Sequence, residues 1–297
     1  MATKPSRRLS ETERAERRRQ DRERLQQAAR ELLSSDGWAR WVRTRSMFHA
    51  YSAGNCMLLA AQCHQHGIVP TRIAGFRTWL KLGRVVRKGE TALRILAPVP
   101  VKQRDEQTGE ESEERRVLFR TAFVFDVSQT EALEGVEPMA LEPPRQPLTG
   151  DSHAHLLAPL RGFAESLGYS VSFETIGGSA GGWCDPKAKR IVVDASVPAN
   201  AQLRTLIHEC AHALGIGYDR YSRAQAEVIV DTVTLVAASA VGLAVDGETV
   251  PYVSGWGEDG ALEAVTEFAE TIDRVARRIE DVLLGAHEET EIKAAAA

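Results

Sequence analysis

The sequence predicts an α+β protein with two domains. Its length of 297 residues exceeds that of a typical single domain. Segments with alternating apolar residues indicate strands in both halves, and apolar residues three and four apart indicate helices. Several prolines fall within residues 136–152, which we predict to be a linker. We therefore expect one domain at residues 1–135, a second at residues 153–285, and a disordered tail at residues 286–297.

Charge is distributed unevenly, although the net charge is only −4. The first thirty residues are rich in arginine, and the last fifty are rich in acids. Residues 10–35 predict a charged helix that begins at a capping box of Ser10 and Glu13. Because acids alternate with the arginines, this pattern fits a solvated helix with ion pairs as well as a nucleic-acid-binding helix.

Composition is that of a globular protein and argues against a disulfide-rich or membrane-spanning one. The hydrophobic content of 43% is enough for ordinary globular cores. The four cysteines form no C-x-x-C pair and no disulfide framework. Neither a signal peptide nor a long apolar span is evident, so we expect a soluble, cytoplasmic protein with no membrane partner.

One segment of the second half carries a metal-binding motif. His208, Glu209 and His212 form H-E-x-x-H within an apolar stretch with helical spacing. Residues four apart lie on one face of a helix, so both imidazoles can face the same ion. The motif predicts a zinc ion held by His208 and His212, with Glu209 as the base that takes a proton from water.

A tetrahedral catalytic zinc site needs a third protein ligand. The apolar helix predicted at residues 222–243 carries two acids four residues apart, Glu227 and Asp231. We expect Glu227 to be the ligand and Asp231 to be its neighbour that orients a ligating histidine, although their order can be reversed. Asp219, in the preceding loop, is a third option.

The elements before the motif fit the same kind of site. Two strands are predicted at residues 169–173 and 189–194, with a glycine-rich turn at residues 177–183. Two strands followed by an H-E-x-x-H helix are typical of zincin peptidases. A strand beside the site can pair with an extended peptide substrate through backbone hydrogen bonds.

In the first half, strands are predicted at Ala92–Val101 and Val117–Asp126, joined by a charged hairpin tip at residues 102–116. An apolar helix is expected to follow Ser52, a possible N-cap. Between this helix and the first of these strands, basic residues alternate with Phe76 and Trp79, a combination that suits binding of single-stranded nucleic acid. The alternative is that both aromatic residues belong to the core. The candidate DNA contacts are Arg72, Phe76, Arg77, Trp79, Lys81, Arg84, Arg87 and Lys88.

Both halves together resemble the ArdC-type antirestriction family, from about residue 25 to about residue 280. The resemblance implies a first domain that binds single-stranded DNA and a zincin-like metallopeptidase domain. It also implies a role on plasmids or other mobile elements, where the protein protects incoming DNA from host restriction. The segments that carry it are Tyr51–Gln62, Gly75–Trp79, Gly83–Glu90, Phe123–Val127, His208–His212, Ala226–Glu227 and Pro251–Trp256.

Metal-assisted hydrolysis of a peptide is the mechanism that the motif predicts. Glu209 takes the proton of water and delivers it to the leaving amine. Tyr252 is either a donor to the substrate or a packed loop residue. Two other functions stay open: a DNA-binding shield whose metal site is structural or vestigial, and a DNA-associated regulatory or repair peptidase that cleaves a protein substrate. Glu209 favours a working site, because a structural zinc needs no general base.

Overall fold

The computed structural model describes residues 11–48, 50–104, 111–135, 149–177, 180–243 and 261–295. Within these ranges, helices and strands confirm the predicted α+β class. The helices are α1 (Glu11–Glu31), α2 (Ser35–Met47), α3 (Ala53–Gln65), α4 (Phe76–Lys81), α5 (Leu157–Ser166), α6 (Ala199–Ala213), α7 (Arg223–Ala240) and α8 (Ala261–Ala295). The strands are β1 (Ile73–Gly75), β2 (Arg84–Val86), β3 (Leu93–Arg104), β4 (Glu111–Asp126), β5 (Thr130–Ala132), β6 (Ser170–Glu174), β7 (Gly182–Asp185) and β8 (Arg190–Asp194).

The charged helix predicted at residues 10–35 ends earlier than expected. Helix α1 stops at Glu31, and the side chain of Ser34 then accepts a hydrogen bond from the backbone N–H of Gly37 to cap α2. A β-carbon at position 37 would lie 1.8 Å from the carbonyl oxygen of Glu31. Only glycine therefore allows this close turn between the two helices. The predicted cap at Ser10 lies outside the described residues.

The hairpin of the first half is longer than predicted. Strand β4 pairs with β1 on one side and with β3 on the other, and all pairs are antiparallel. Pairing continues to Arg104 opposite Glu111, so the predicted tip at residues 102–116 is wrong. Backbone hydrogen bonds do not require apolar side chains, and a charged segment can extend a two-stranded ribbon beyond the end of β1.

Two amide side chains of α3 cover the open edge of β3. The side chain of Asn55 donates to the carbonyl of Leu96 and accepts from its N–H. Gln62, two turns later, makes the same pair of bonds with the backbone of Arg94. Helix α3 thereby satisfies groups that an edge strand otherwise leaves unpaired. The predicted cap at Ser52 is confirmed, because its side chain accepts from the N–H of Asn55.

The second half contains a mixed sheet in the order β6-β8-β7. Strands β6 and β8, which the sequence predicts, are parallel, and β7 is antiparallel to β8. Strand β7 occupies an edge of the sheet and overlaps the end of the segment predicted to be a glycine-rich turn. Its sequence, Gly-Trp-Cys-Asp, is short and opens with glycine, so the strand signal in the sequence is weak.

Buried residues of both halves form one continuous core cluster, from Ala28 to Leu283. A buried ionic contact reinforces it: the guanidinium of Arg45 on α2 donates two hydrogen bonds to Glu280 on α8, at 2.9 and 2.8 Å. Asp273 accepts a third bond from Arg45 at 2.5 Å. The two halves therefore pack against each other through α8.

The predicted boundaries of the second half change at both ends. Residues 136–148 of the predicted linker lie outside the described part, whereas Gly150 and Asp151 already contact the start of α6. The predicted disordered tail continues α8 to Ala295, because its alanine, glutamate and lysine residues favour helix. None of the helices in the described ranges is long and apolar enough to cross a bilayer.

Candidate metal centre and nucleic-acid interface

Helix α6 places the motif in the interior of the second half. Pro198 precedes the helix and has no side chain that can cap it. The carboxylate of Asp151 instead accepts a hydrogen bond from the backbone N–H of Ala199 at 2.7 Å. Leu203, Leu206 and Ile207 are fully buried and hold the helix against its neighbours. The adjacent face carries the two histidines into the gap between α6 and α7.

Helix α7 brings the third member of the site. Ser222 and Gln225 form a capping box at its start, which fixes the first turn of the helix. Glu227 follows directly, so its carboxylate faces α6. Oε2 of Glu227 lies 3.7 Å from Nε2 of His208, and Oε1 lies 3.9 Å from Nε2 of His212.

These three side chains form a group that can hold a metal ion. One potential ligand atom from each of His208, His212 and Glu227 lies within 4.8 Å of the other two. Zinc bonds to nitrogen and oxygen of about 2.0–2.2 Å fit between atoms this close. The structure therefore brings together the three ligands that the sequence predicts.

Both imidazoles present the same nitrogen to this group. Nδ1 of His208 lies 3.1 Å from Oδ1 of Asp231, and Nδ1 of His212 lies 2.7 Å from the carbonyl oxygen of Ile216. These contacts orient the rings and direct Nε2 of each toward Glu227. Asp231 occupies the orienting position expected for it, one turn after Glu227.

The surroundings shift the pKa values of the two histidines in opposite directions. Burial lowers the pKa of His212, which keeps its imidazole neutral and able to bind a metal ion. Burial also acts to lower the pKa of His208, but the hydrogen bond to Asp231 and the charges of Glu209 and Glu227 outweigh it and raise the pKa.

Glu209 is the buried acid of this site. It is only 6% exposed, and burial raises its pKa to about 7; the charge of Glu227 adds to the rise and His208 opposes it. A carboxyl group with a pKa near neutrality can both accept and donate a proton at physiological pH. This property suits the role of proton carrier that the motif predicts.

The loop between α6 and α7 adds a residue that the sequence did not indicate. The hydroxyl of Tyr218 donates a hydrogen bond to Oε1 of Glu227 at 2.5 Å, and this bond raises the pKa of Tyr218 to about 12. Asp219, the alternative ligand, is exposed and does not belong to the three-residue group. Tyr252 lies outside the described residues.

Strand β7 runs beside the motif helix. A β-carbon on Gly182 would lie 2.6 Å from the side chain of Thr205, one turn before Glu209 on α6. Glycine at this position therefore allows the edge strand to approach the helix closely. Among the described residues, β7 pairs with β8 on one side only, so its other edge has no partner strand.

Comparison with known proteins identifies the family of the first domain. Residues 22–125 match the N-terminal domain of anti-restriction factor ArdC. The metal-free crystal structure of the antirestriction ArdC protein from the R388 plasmid is 18% identical, with a TM-score of 0.55, and the match covers 89% of this chain and 98% of that one. Residues 22–125 therefore form an ArdC-type N-terminal domain. The resemblance predicted from the sequence is confirmed for this part of the chain.

The Mn(II)-bound structure of the same R388 protein is 17% identical, with a TM-score of 0.52, over 88% of this chain and 97% of that one. These likenesses extend the ArdC fold to the second half, beyond the residues that match in sequence. No curated protein matches the chain by sequence.

Within the ArdC-type N-terminal domain, the predicted DNA contacts divide into interior and surface residues. Trp79 has no exposed surface, and its indole N–H donates to the carbonyl of Phe125 at 2.9 Å. It cannot stack on a base in this structure, so its prediction as a DNA contact is wrong. The reason is that α4 packs Trp79 against β4. Phe76, three residues earlier, is 46% exposed.

Two of the predicted arginines make bonds within the domain. The guanidinium of Arg84 donates to the side chain and the carbonyl of Thr130 across the β2–β5 pair. The guanidinium of Arg87 donates to Glu90 at 2.7 Å and to the carbonyl of Ser128 at 2.6 Å. Both therefore hold local structure. Of the others, Arg77, Lys81 and Lys88 are exposed, and Arg72 is partly buried.

Sequence reasoning named Phe76 but missed Arg94 and Phe123, which lie beside it on the sheet; these three residues are called the aromatic row. Arg94 on β3 pairs directly with Phe123 on β4, so the two side chains share a face. Phe76 follows Gly75, which pairs with Val124, and it therefore leaves β1 next to Phe123. Phe123 is 58% exposed. Alternation in β4 predicts that its residues divide between two faces, but not which face the core covers.

Proposed function

We propose that this chain is a single-stranded DNA-binding antirestriction protein of a mobile element, and that it carries a divalent-metal centre of the metallopeptidase type. The ArdC-type N-terminal domain is the observation that carries the proposal. The similar R388 protein is described as an antirestriction protein and comes from a plasmid, which supports protection of incoming DNA.

Zinc is the ion that we propose for the centre. Two imidazole nitrogens and one carboxylate oxygen are a donor set that zinc accepts readily, with a fourth position left for water. The Mn(II)-bound form of the R388 protein supports a divalent ion in this fold. Manganese favours oxygen donors, so the two histidines argue for zinc in this chain.

The residues around the centre can support hydrolysis of a peptide bond. When bound, zinc would polarise a carbonyl group and make water more acidic. Glu209, which is buried beside the candidate ligand His208, would take the water proton and return it to the leaving amine. An extended peptide would pair with the free edge of β7, beside the face of α6 that carries Glu209.

Single-stranded DNA binding is assigned to the aromatic row. Exposed rings such as Phe76 and Phe123 can stack on unpaired bases, and Arg94 beside them can contact a phosphate. A cleft of about 670 Å³ opens next to Arg94, between α1 and the sheet. Its two carboxylates, Asp21 and Glu31, are each paired with an arginine, so they present little net negative charge to a DNA strand.

Exposed cations of the predicted set extend this surface. Arg77 follows Phe76 on α4, and Lys81 lies one turn further along the same helix. Phosphate contacts from such residues make affinity fall as salt rises. We therefore propose the exposed Arg77, Lys81 and Lys88, together with the partly buried Arg72, as phosphate contacts.

Plasmid transfer into a restricting host tests which part of the molecule protects DNA. Coating a strand needs no chemistry, so we expect Glu209→Gln to protect incoming DNA as well as the wild type. Phe123→Ala should lose protection in parallel with its DNA affinity. Loss of protection by Glu209→Gln, with DNA binding retained, would contradict a shielding function.

That outcome would favour the second candidate, a DNA-associated regulatory or repair metallopeptidase that cleaves a protein substrate. The observation in its favour is the buried Glu209, since a structural ion has no use for a base beside it. In this case the N-terminal domain would anchor the peptidase to DNA.

A further inference from the structure

The loop between α6 and α7 is tied to the candidate metal centre at its beginning. Helix α6 ends at Ala213 with Leu214 as its C-cap, and Gly215 adopts a φ of +99°, which turns the chain back toward the helix. The carbonyl of Ile216 then meets Nδ1 of His212 at 2.7 Å. The path of the loop and the orientation of His212 are therefore set by the same contact.

The end of the loop is held independently. The carbonyl of Gly217 accepts hydrogen bonds from the backbone N–H groups of Arg220 and Tyr221, which closes a tight turn. Tyr221 is only 9% exposed, and its ring lies 5.8 Å from that of Phe268 on α8. Tyr218 thus lies between two anchored points rather than on a free loop.

Tyr218 directs its hydroxyl inward although its ring is 56% exposed. The hydroxyl donates to Oε1 of Glu227 at 2.5 Å, and the ring meets the edge of His212 at a centroid distance of 5.9 Å. A guanidinium on the next helix, that of Arg223, lies 5.8 Å from the same ring. These contacts hold the phenol over one oxygen of the carboxylate.

Glu227 is the most exposed of the three candidate ligands. Its side chain is 37% exposed, whereas those of His208 and His212 are 18% and 12% exposed. A carboxylate near the start of a helix can turn toward solvent, and holding it inward costs side-chain entropy. Among the described residues, Tyr218 is the one whose side chain donates a hydrogen bond to Glu227.

We propose that Tyr218 is a positioning residue of the metal centre: its hydroxyl holds Glu227 in the orientation that completes the site with His208 and His212. This inference rests on the metal centre proposed above. Hydrogen bonds to ligating groups of this kind typically change metal affinity by about 10–100-fold. The phenol acts on the carboxylate and not on the ion itself.

The test compares two tyrosine variants of the full-length chain. Tyr218→Phe removes the hydroxyl that contacts Glu227. Tyr221→Phe is the matched control, because the hydroxyl of Tyr221 is buried and has no hydrogen-bond partner within the described residues. Zinc affinity is measured by competition with a chromophoric chelator, and the visible absorption of the Co(II)-substituted protein reports the coordination geometry.

We expect Tyr218→Phe to bind zinc about 10–100-fold more weakly and to change the Co(II) spectrum, while Tyr221→Phe resembles the wild type. In a Glu227→Ala background, Tyr218→Phe should cause no further loss, since its effect passes through Glu227. Equal or tighter zinc binding by Tyr218→Phe, or an additive loss in the double variant, would overturn the proposal. A wild-type protein that binds no zinc would instead overturn the metal centre itself.

Discussion

Oδ1 of Asp231 lies 3.1 Å from Nδ1 of His208, and the two residues belong to neighbouring helices, α7 and α6. The contact turns the other ring nitrogen, Nε2, toward Glu227. Because Asp231 and Glu227 are one turn apart on α7, a single helix supplies both a candidate ligand and the group that orients another ligand. Metal affinity should therefore depend on Asp231 even though it is not in the ligand group.

Replacement of this orienting carboxylate provides the first prediction. Asp231→Asn should weaken zinc binding by about 10–100-fold, because the neutral amide is a weaker acceptor for the Nδ1–H of His208 than the carboxylate that holds Nε2 toward Glu227. Competition with a chromophoric chelator measures the change. Asp219→Asn, an exposed acid of the nearby loop, is the control and should bind zinc as the wild type does. Equal affinity for both variants would show that Asp231 does not orient the site.

The raised pKa of Glu209 makes the stability of the metal-free protein depend on pH. Its pKa rises from an ordinary value of 4.5 to about 7, so the folded chain binds the proton more tightly than the unfolded chain. The contribution of Glu209 to stability therefore falls as pH rises through this window. At pH 8 the ionised group should cost on the order of 3 kcal/mol.

Glu209→Gln should remove this dependence, since glutamine stays neutral. Thermal unfolding in the presence of a chelator should show similar stability for variant and wild type at pH 4.5, and a variant that is clearly more stable at pH 8. If the difference in stability between variant and wild type stayed constant from pH 4.5 to pH 8, Glu209 would not be held in a desolvated position.

The buried contact between α2 and α8 leads to a prediction about folding. Arg45→Met leaves Glu280 buried without its partner, and breaking such a pair costs about 3–5 kcal/mol. Urea unfolding measures this change. The exposed pair of Arg19 and Glu16 provides the control, and Arg19→Met should change stability by less than about 1 kcal/mol. Similar small losses in both variants would show that the halves are not joined through Arg45.

Single-stranded DNA binding should depend on the aromatic row. Phe123→Ala should lose about 1–3 kcal/mol of binding free energy with the same salt dependence, because a stacking ring and not a charge is removed. Fluorescence anisotropy with a labelled oligonucleotide measures both quantities. Trp183→Ala removes another exposed aromatic residue, from the second half, and this variant should bind DNA normally. An effect of Trp183→Ala alone would place the DNA site in the other half.

The sequence predicts which candidate metal ligands come together because their geometry is local. His208 and His212 lie four residues apart, and Glu227 and Asp231 repeat the same spacing on the next helix. Helical periodicity is enough to place each pair on one face. The contact of Tyr218 with Glu227 has no such signal, because it depends on the path of a loop between two helices.

The nucleic-acid surface is less predictable from composition. An alternation of basic and aromatic residues does not reveal that Trp79 is buried or that Arg84 bonds to Thr130, since both contacts come from residues more than forty positions away. Conversely, Phe123 lies in an apolar strand and resembles a core residue in the sequence. Phe123 is exposed because the opposite side of β4, which carries Val124, packs against the core.

Metal content after expression in zinc-supplemented medium tests the central claim most directly. The purified wild-type chain should retain one equivalent of zinc after exhaustive dialysis, and Glu209→Gln should retain the same amount. His208→Ala and His212→Ala should retain none, because each removes an imidazole from the ligand group. A metal-free wild type, or unchanged zinc content in the histidine variants, would contradict a metal centre formed by His208, His212 and Glu227.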